Sequence, residues 1–356
     1  MSDQSIAHPA LPAAGHPAAG HTRKSHAQTA KSLLPGLLLT GGLSAVAFGI
    51  QSLLPPHTVL SPLIIAIVLG MAFHNTIGTP ARCKPGVAFS LKRILRFAII
   101  LLGLQLTVLQ IAAVGGRGLL VVALSLGATF LFTVWLGRRL GVDSKLAMLI
   151  AAGTSICGAS AVIAANTVTE APDEDVAYAV ACVTVFGSLS MLLYPLIQGH
   201  LQLSPHAYGL WAGASIHEVA QVVAAAFQGG HEAGDFGTIA KLSRVAMLAP
   251  VILLMGWGMS RMKKGHGHGR ARAPIPWFVI GFIAMILFNS LGVLPEEARH
   301  GLVQTTTFLL TMALAAMGLE TDIRKLRAKG LRPLALGTAA ALFISLLSLG
   351  LIETVF

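Results

Sequence analysis

"GTSICGASAVIAAN", residues 153–166, lies inside an apolar run long enough to enter a bilayer. It nevertheless holds two glycines, three hydroxyl side chains, a cysteine and an asparagine. Gly is about 1 kcal/mol worse than Ala in a helix, and Ser and Thr compete for backbone hydrogen bonds. Unwound backbone at membrane depth is tolerated only where protein or a watery cavity covers it. The stretch therefore predicts a helix that breaks and restarts near Cys157, with free N–H groups and a positive dipole end facing one spot. With Thr154, Ser155 and Ser160 nearby, that spot reads as an anion site made without a buried cation. Close packing of small residues accounts for Ala151, Ala152, Ala159, Ala164 and Ala165. It accounts less well for the dense T-S-x-C-G cluster.

The surroundings fit a membrane protein. The chain has 356 residues, 54% hydrophobic and 11% charged, against about 25% charged in soluble domains. Residues 1–32, rich in Ala, Pro, Gly and His, predict a disordered cytoplasmic tail. Residues 33–356 form one transmembrane domain. Hydropathy predicts about eleven spans, near 33–54, 60–75, 94–114, 118–136, 146–168, 176–198, 207–228, 242–260, 276–294, 301–319 and 333–354. The net charge of +11 would suggest nucleic acid in a soluble protein. Here the basic residues alternate with apolar spans, so they describe topology and no nucleic-acid partner is expected. With the N-terminus in the cytoplasm, most Lys and Arg fall on that side. Glu170, Asp173, Glu174, Asp175, Glu232, Asp235, Glu296 and Glu297 then fall opposite. Cys83, Cys157 and Cys182 give neither a disulfide framework nor a paired metal spacing, and no cofactor is expected.

A second interruption, "GASIHEVAQVVAA" (213–225), overlays 153–165 with matches at Gly, Ser, Ile, Val and two Ala positions. Its midpoint is His217-Glu218. An ionisable group there costs at least about 2.5–3.5 kcal/mol if it meets lipid, so Glu218 must face a cavity with partners such as Ser215 and Gln221. His217-Glu218 also opens an H-E-x-x-H zinc signature, but residue 221 is Gln and the second ligand is missing. Finally, "GLQLTVLQIAAVGGRGLL" (103–120) aligns without gaps to "GLETDIRKLRAKGLRPLA" (318–335). Gly103/Gly318, Leu104/Leu319, Ala113/Ala328, Gly115/Gly330, Arg117/Arg332 and Leu119/Leu334 match. The copies lie an odd number of spans apart, as an inverted-topology repeat requires.

Those two interruptions, together with "MGLETDIRKL" (317–326), resemble the bacterial inner-membrane proteins known as the sulfate exporter family, over residues 33–354. That family is similar in turn to the superfamily of sodium/proton antiporters and bile-acid-type transporters. The resemblance implies an all-α polytopic fold with inverted repeats and discontinuous helices crossing at the midplane. It implies a site within Gly153 to Asn166 and His217 to Gln221; the candidate substrate residues are Gly153, Thr154, Ser155, Cys157, Gly158, Ser160, Asn166, Ser215, His217 and Gln221, and side-chain chemistry makes Glu218 and His217 the candidates for coupling a proton or ion. The expected activity is export of sulfate or a related sulfur oxyanion or organosulfur anion by alternating access, without enzymatic chemistry. The expected setting is the bacterial inner membrane, N-terminus cytoplasmic and C-terminus periplasmic; sodium coupling and a homodimer stay open. One feature departs from the pattern. Motifs only 60 residues apart, with one span between them, would run parallel, whereas crossing partners are antiparallel. Either a span is re-entrant or the crossing partner lies elsewhere, as in 305–319. Two rival functions are an intramembrane metal enzyme using His217 and Glu218, and an anion channel.

Overall fold

The computed structural model describes residues 26–55, 61–262, 277–327 and 329–356. Residues 1–25 of the expected tail lie outside them, and His26 already begins the first helix. Every regular element among the described residues is helical: α1 (His26–Leu53), α2 (Pro62–Thr76), α3 (Lys84–Phe89) continued through a π turn into α4 (Leu95–Leu102), α5 (Val108–Leu140), α6 (Ser144–Ser155), α7 (Ala159–Thr169), α8 (Asp173–Leu201), α9 (Pro205–Ser215), α10 (Val219–Ala226), α11 (His231–Ala246), α12 (Leu248–Met262), α13 (Trp277–Ser290), α14 (Glu296–Glu320) and α15 (Leu331–Val355). Six stretches are long and apolar enough to cross a membrane: Lys31–Leu53, Val114–Leu140, Asp173–Leu201, His231–Gly258, Glu297–Glu320 and Leu331–Val355. The chain is a polytopic helical membrane protein.

The fifth and seventh expected spans do not cross. Two helices in line would place Lys145 and Glu170 about 38 Å apart. Instead Lys145 Nζ donates to the Glu170 carbonyl at 2.7 Å, so α6 and α7 fold back on each other. Likewise Tyr208 O–H, at the start of α9, donates to the Ala225 carbonyl at the end of α10 at 3.0 Å. Both motifs are re-entrant hairpins. Their starts are locally encoded: Asp143 caps α6 through the Lys145 and Leu146 amides, and Ser204 caps α9 ahead of Pro205.

The hairpins enter from opposite faces. The mouth of the first adjoins the acidic first turn of α8, where Glu174 and Asp175 pair with Lys329 at 2.9 and 2.8 Å. Asp175 and Glu174 raise the Lys329 ammonium above its ordinary pKa. The mouth of the second lies by Gln198, at the far end of α8, and by His206, which stacks edge-on with Phe356. The 29 residues of α8 separate the two mouths by about 43 Å. Of the two alternatives left open by the motif spacing, the structure takes the re-entrant one, and it corrects one expectation: Glu170 to Asp175 share a face with the basic loop around Lys329.

Packing divides the helices into two bodies. Helices α1–α4, α13 and α14 pack on one another, as do α5–α12 and α15. Between the bodies, α10 touches α2 and α14, while α13 touches α5 and α11. The aligned repeat falls on two crossovers between the bodies, α4 to α5 and α14 to α15. In each copy the chain is first pinned by an asparagine of the α1–α4/α13/α14 body. Asn289 donates to the Leu106 carbonyl at 2.9 Å, and Asn75 to the Thr321 carbonyl at 2.9 Å. Each copy then turns at a glycine, Gly115 (φ 61°, ψ −178°) and Gly330 (φ 84°, ψ −176°). A Cβ at either would meet no described atom within 4 Å, so backbone conformation and not space demands glycine there.

The hairpin topology predicts paired labelling. In a Cys83→Ser background, Ser144→Cys and Glu170→Cys should react with an impermeant thiol reagent from one face. Gln202→Cys and Glu232→Cys should react from the other. Membrane-crossing segments would split each pair.

Candidate functional site

The two tips meet at mid-depth. At the first, α6 ends at Ser155, Ile156 leaves helical geometry (φ −113°, ψ −87°), and Gly158 (φ 67°, ψ −133°) turns the chain into α7. At the second, α9 ends at Ser215, and extended Ile216 and Glu218 flank His217 before α10 starts. Two helix C-termini and two N-termini therefore converge in protein interior, each with unsatisfied backbone groups.

The C-termini are satisfied by two cations from α11. Lys241 Nζ donates to the carbonyls of Ile156 (2.9 Å) and Ile216 (2.7 Å), one from each hairpin. Arg244 donates to Thr154 (2.8 Å) and Ser155 (3.1 Å) in the first hairpin. It also donates to Ala214 (2.7 Å), Gly213 (3.3 Å) and Ile216 (3.4 Å) in the second. Both side chains are 0% exposed. Hydrogen bonds to charged groups are worth about 1.5–3 kcal/mol each, and a cation at a helix C-terminus also meets the negative dipole end. The sequence reading expected a junction without a buried cation; the structure places two there. Placing the eighth span at 242–260 set Lys241 in a connection. The longer apolar window His231–Gly258, with Lys241 and Arg244 three residues apart on one helix face, carries the missed signal.

The N-termini are satisfied by one carboxylate. Glu218 Oε1 accepts from the Ala159 N–H, the first of α7, at 2.6 Å. Glu218 also N-caps α10 in a reciprocal box with Gln221, whose Oε1 accepts from the Glu218 N–H at 3.1 Å. A Cβ on Gly158 would lie 2.0 Å from Glu218 Oε1, so glycine there supplies both the positive φ and the room. Gln221 Nε2 donates to the Thr184 carbonyl and Ser188 Oγ of α8, both at 3.1 Å, and lies 3.6 Å from Met317 Sδ of α14.

The structure brings together Thr154, Ser155, Cys157, Gly158, Ser215, His217, Glu218 and Gln221. Their roles differ from those expected. Thr154 and Ser155 meet Arg244 through carbonyls, and Ser155 Oγ donates back to Ala151. Ser215 Oγ donates to the Trp211 carbonyl at 2.5 Å and lies 2.8 Å from the Tyr194 hydroxyl. Gly153 packs one turn below the tip against Val162 and Val183. Ser160 is exposed on the surface of α7. Asn166 belongs to the mouth, where Oδ1 accepts from the Ala171 N–H at 2.8 Å and closes the end of α7. His217 is buried, and neither ring nitrogen has a hydrogen-bond partner among the described residues. No group of three or more His, Cys, Asp or Glu side chains suited to a metal stands among the described residues.

A cavity of about 330 Å³ lies on the Phe356 side of the second hairpin, between the bodies. It is lined by Gln51, Ser61, Gln105, Gln228, His231 and Thr307 among apolar side chains. The tip residues are buried in protein, and this cavity lies apart from them.

Residues 35–337 match the family model described as conserved hypothetical protein 698. A UPF0324 membrane protein of Pseudomonas aeruginosa is 43% identical over 332 residues, covering 90% of this chain and 93% of its own length. The chain belongs to the UPF0324 family. Other members include the inner membrane protein YeiH of Escherichia coli K12, 39% identical over 315 residues (86% of this chain, 90% of that protein). A Bacillus cereus UPF0324 membrane protein is 37% identical over 306 residues (86% and 90%). Both hairpin tips and α11 fall inside the family match.

Arg244→Ala strips the donors from five carbonyls of both hairpin ends in the interior. It should cost at least about 1–3 kcal/mol, the penalty for one buried acceptor left unsatisfied, read as a fall in melting temperature in detergent. Arg244→Lys should recover part of it.

Proposed function

We propose that this UPF0324 protein is a secondary transporter of a small anion, moving it by displacement of the hairpin body against the other body. The observation that carries the reading is the junction: two half-membrane hairpins from opposite faces, their tips joined at mid-depth by Lys241, Arg244 and Glu218. An ionisable carboxylate held at mid-depth is by default a mark of a functional site. The division into two bodies, with glycine turns at two crossovers and a cavity between them, supplies the moving part. The resemblance to the sulfate exporter family makes sulfate, a related sulfur oxyanion or an organosulfur anion the substrate. In this reading the protein performs no covalent chemistry.

Arg82, Lys84, Arg138, Arg139, Arg324, Lys325 and Arg332 flank the Lys329 face, and cytoplasmic loops are rich in such residues. That face is therefore assigned to the cytoplasm, with the N-terminus cytoplasmic, the C-terminus periplasmic and the bacterial inner membrane as host. An anion leaving a negative interior gains about 2.3 kcal/mol per charge per 100 mV, which favours export.

Radiolabelled sulfate flux in proteoliposomes tests the reading. Wild-type protein should show saturable counterflow, and Glu218→Gln should cut the rate at least about tenfold, the size expected for losing one polar contact at the site. Unchanged rate and pH dependence would remove Glu218 from the mechanism. Large currents without counterflow would mark a channel.

A further inference from the structure

The junction already holds one carboxylate. Glu218 Oε1 sits on the Ala159 N–H in the space that a side chain at Gly158 would fill. A helix start with a glycine cradle is a ready oxyanion seat. Its occupant comes from the other hairpin, so the seat is filled by a tethered group and is not an internal cap of α7. His217, beside Glu218 in the second tip and packed by Gly187 of α8, is 1% exposed with both ring nitrogens unpartnered among the described residues.

The local charges point the same way. Each helix start carries about +0.5 charge and each helix end about −0.5, so the four converging ends cancel. Two basic side chains, Lys241 and Arg244, therefore share the junction with one acidic side chain, Glu218. An arriving anion finds the amide taken by a like charge.

Resting on the transport reading, we infer that the Glu218 carboxylate is a tethered surrogate for the transported anion, and that the anion takes its place only as Glu218 takes up a proton. The proton passes from solvent to the freed carboxylate oxygen. The hydrogen bond from Ala159 N–H to Oε1 breaks, and one from Ala159 N–H to the anion forms. No covalent bond changes. The titratable and charged groups around Glu218 are Cys157 on the first tip, His217 on its own tip, Lys241 and Arg244 from α11, and Tyr194 from α8 behind Ser215. Lys241 and Arg244 are committed to the hairpin carbonyls and stay in place during the exchange. Anion and proton therefore bind together. Wherever Glu218 is ionised in the free protein, affinity rises as pH falls, about tenfold per pH unit for one proton per anion.

Isothermal titration of the full-length protein in nanodiscs tests this. The probes are sulfate, methanesulfonate and acetate, none of which changes protonation between about pH 6 and 8. Buffers of different ionisation enthalpy count the protons. Wild-type protein should take up about one proton per anion and tighten about tenfold per pH unit. Glu218→Gln should bind with no proton uptake and a flat pH profile. Glu218→Asp, one methylene short of the Ala159 amide, should bind more tightly than wild type at pH 8. Binding without proton uptake, or proton uptake that persists in Glu218→Gln, overturns the surrogate role and leaves the transport reading standing. Failure of all three anions to bind wild type and Glu218→Gln alike removes the seat, and with it the anion transport reading.

Discussion

Four helix ends meeting in the buried interior of the protein is the constraint on which this fold is built. Each end leaves backbone donors or acceptors without intrahelical partners, and in a low-dielectric interior each orphan costs several kcal/mol. The chain answers with three side chains of two signs. Lys241 and Arg244 gather the carbonyls of both hairpins, and Glu218 gathers the amides. Remove these and there is no reason for the hairpins to stop at mid-depth. The position of α11, the close approach of the tips and the burial of three ionisable groups all follow from that single requirement.

The same arrangement explains why so little of the junction is free for anything else. The hydroxyls of Ser155 and Ser215 return to carbonyls one turn back, which leaves backbone groups and charges as the chemistry of the tips. Gln221 ties the second tip to α8 and reaches α14 of the other body. The tip is therefore linked to the surface against which it would move.

Much of this was legible in the sequence. Glycines and hydroxyls at 153–160 and the ionisable pair at 217–218 marked both interruptions correctly, because lipid makes such residues costly anywhere else. The gap-free repeat at 103–120 and 318–335 proved to be a shared backbone device, down to the paired glycines at 115 and 330. The direction of the chain after each interruption was not legible. An apolar half-helix that continues across the bilayer and one that doubles back have the same composition and period, and only contacts such as Lys145 with Glu170 distinguish them. The charge pattern misled for a related reason. Acidic residues 170–175 looked like an opposite face because a crossing was assumed, whereas they are drawn to Lys329 on the same one. Asn166 illustrates a third limit, since an amide near a helix end reads alike as ligand and as cap until its Oδ1 is seen on the Ala171 amide.

The cavity between the bodies has a pharmacological consequence. Its wall is shared by α1, α2, α4, α10 and α14, so a compound lodged there would touch both halves at once. On the proposed transport function, such a molecule would act as a wedge between the bodies without reaching the charged tips, and inhibitors shaped for that crevice need not resemble the proposed cargo.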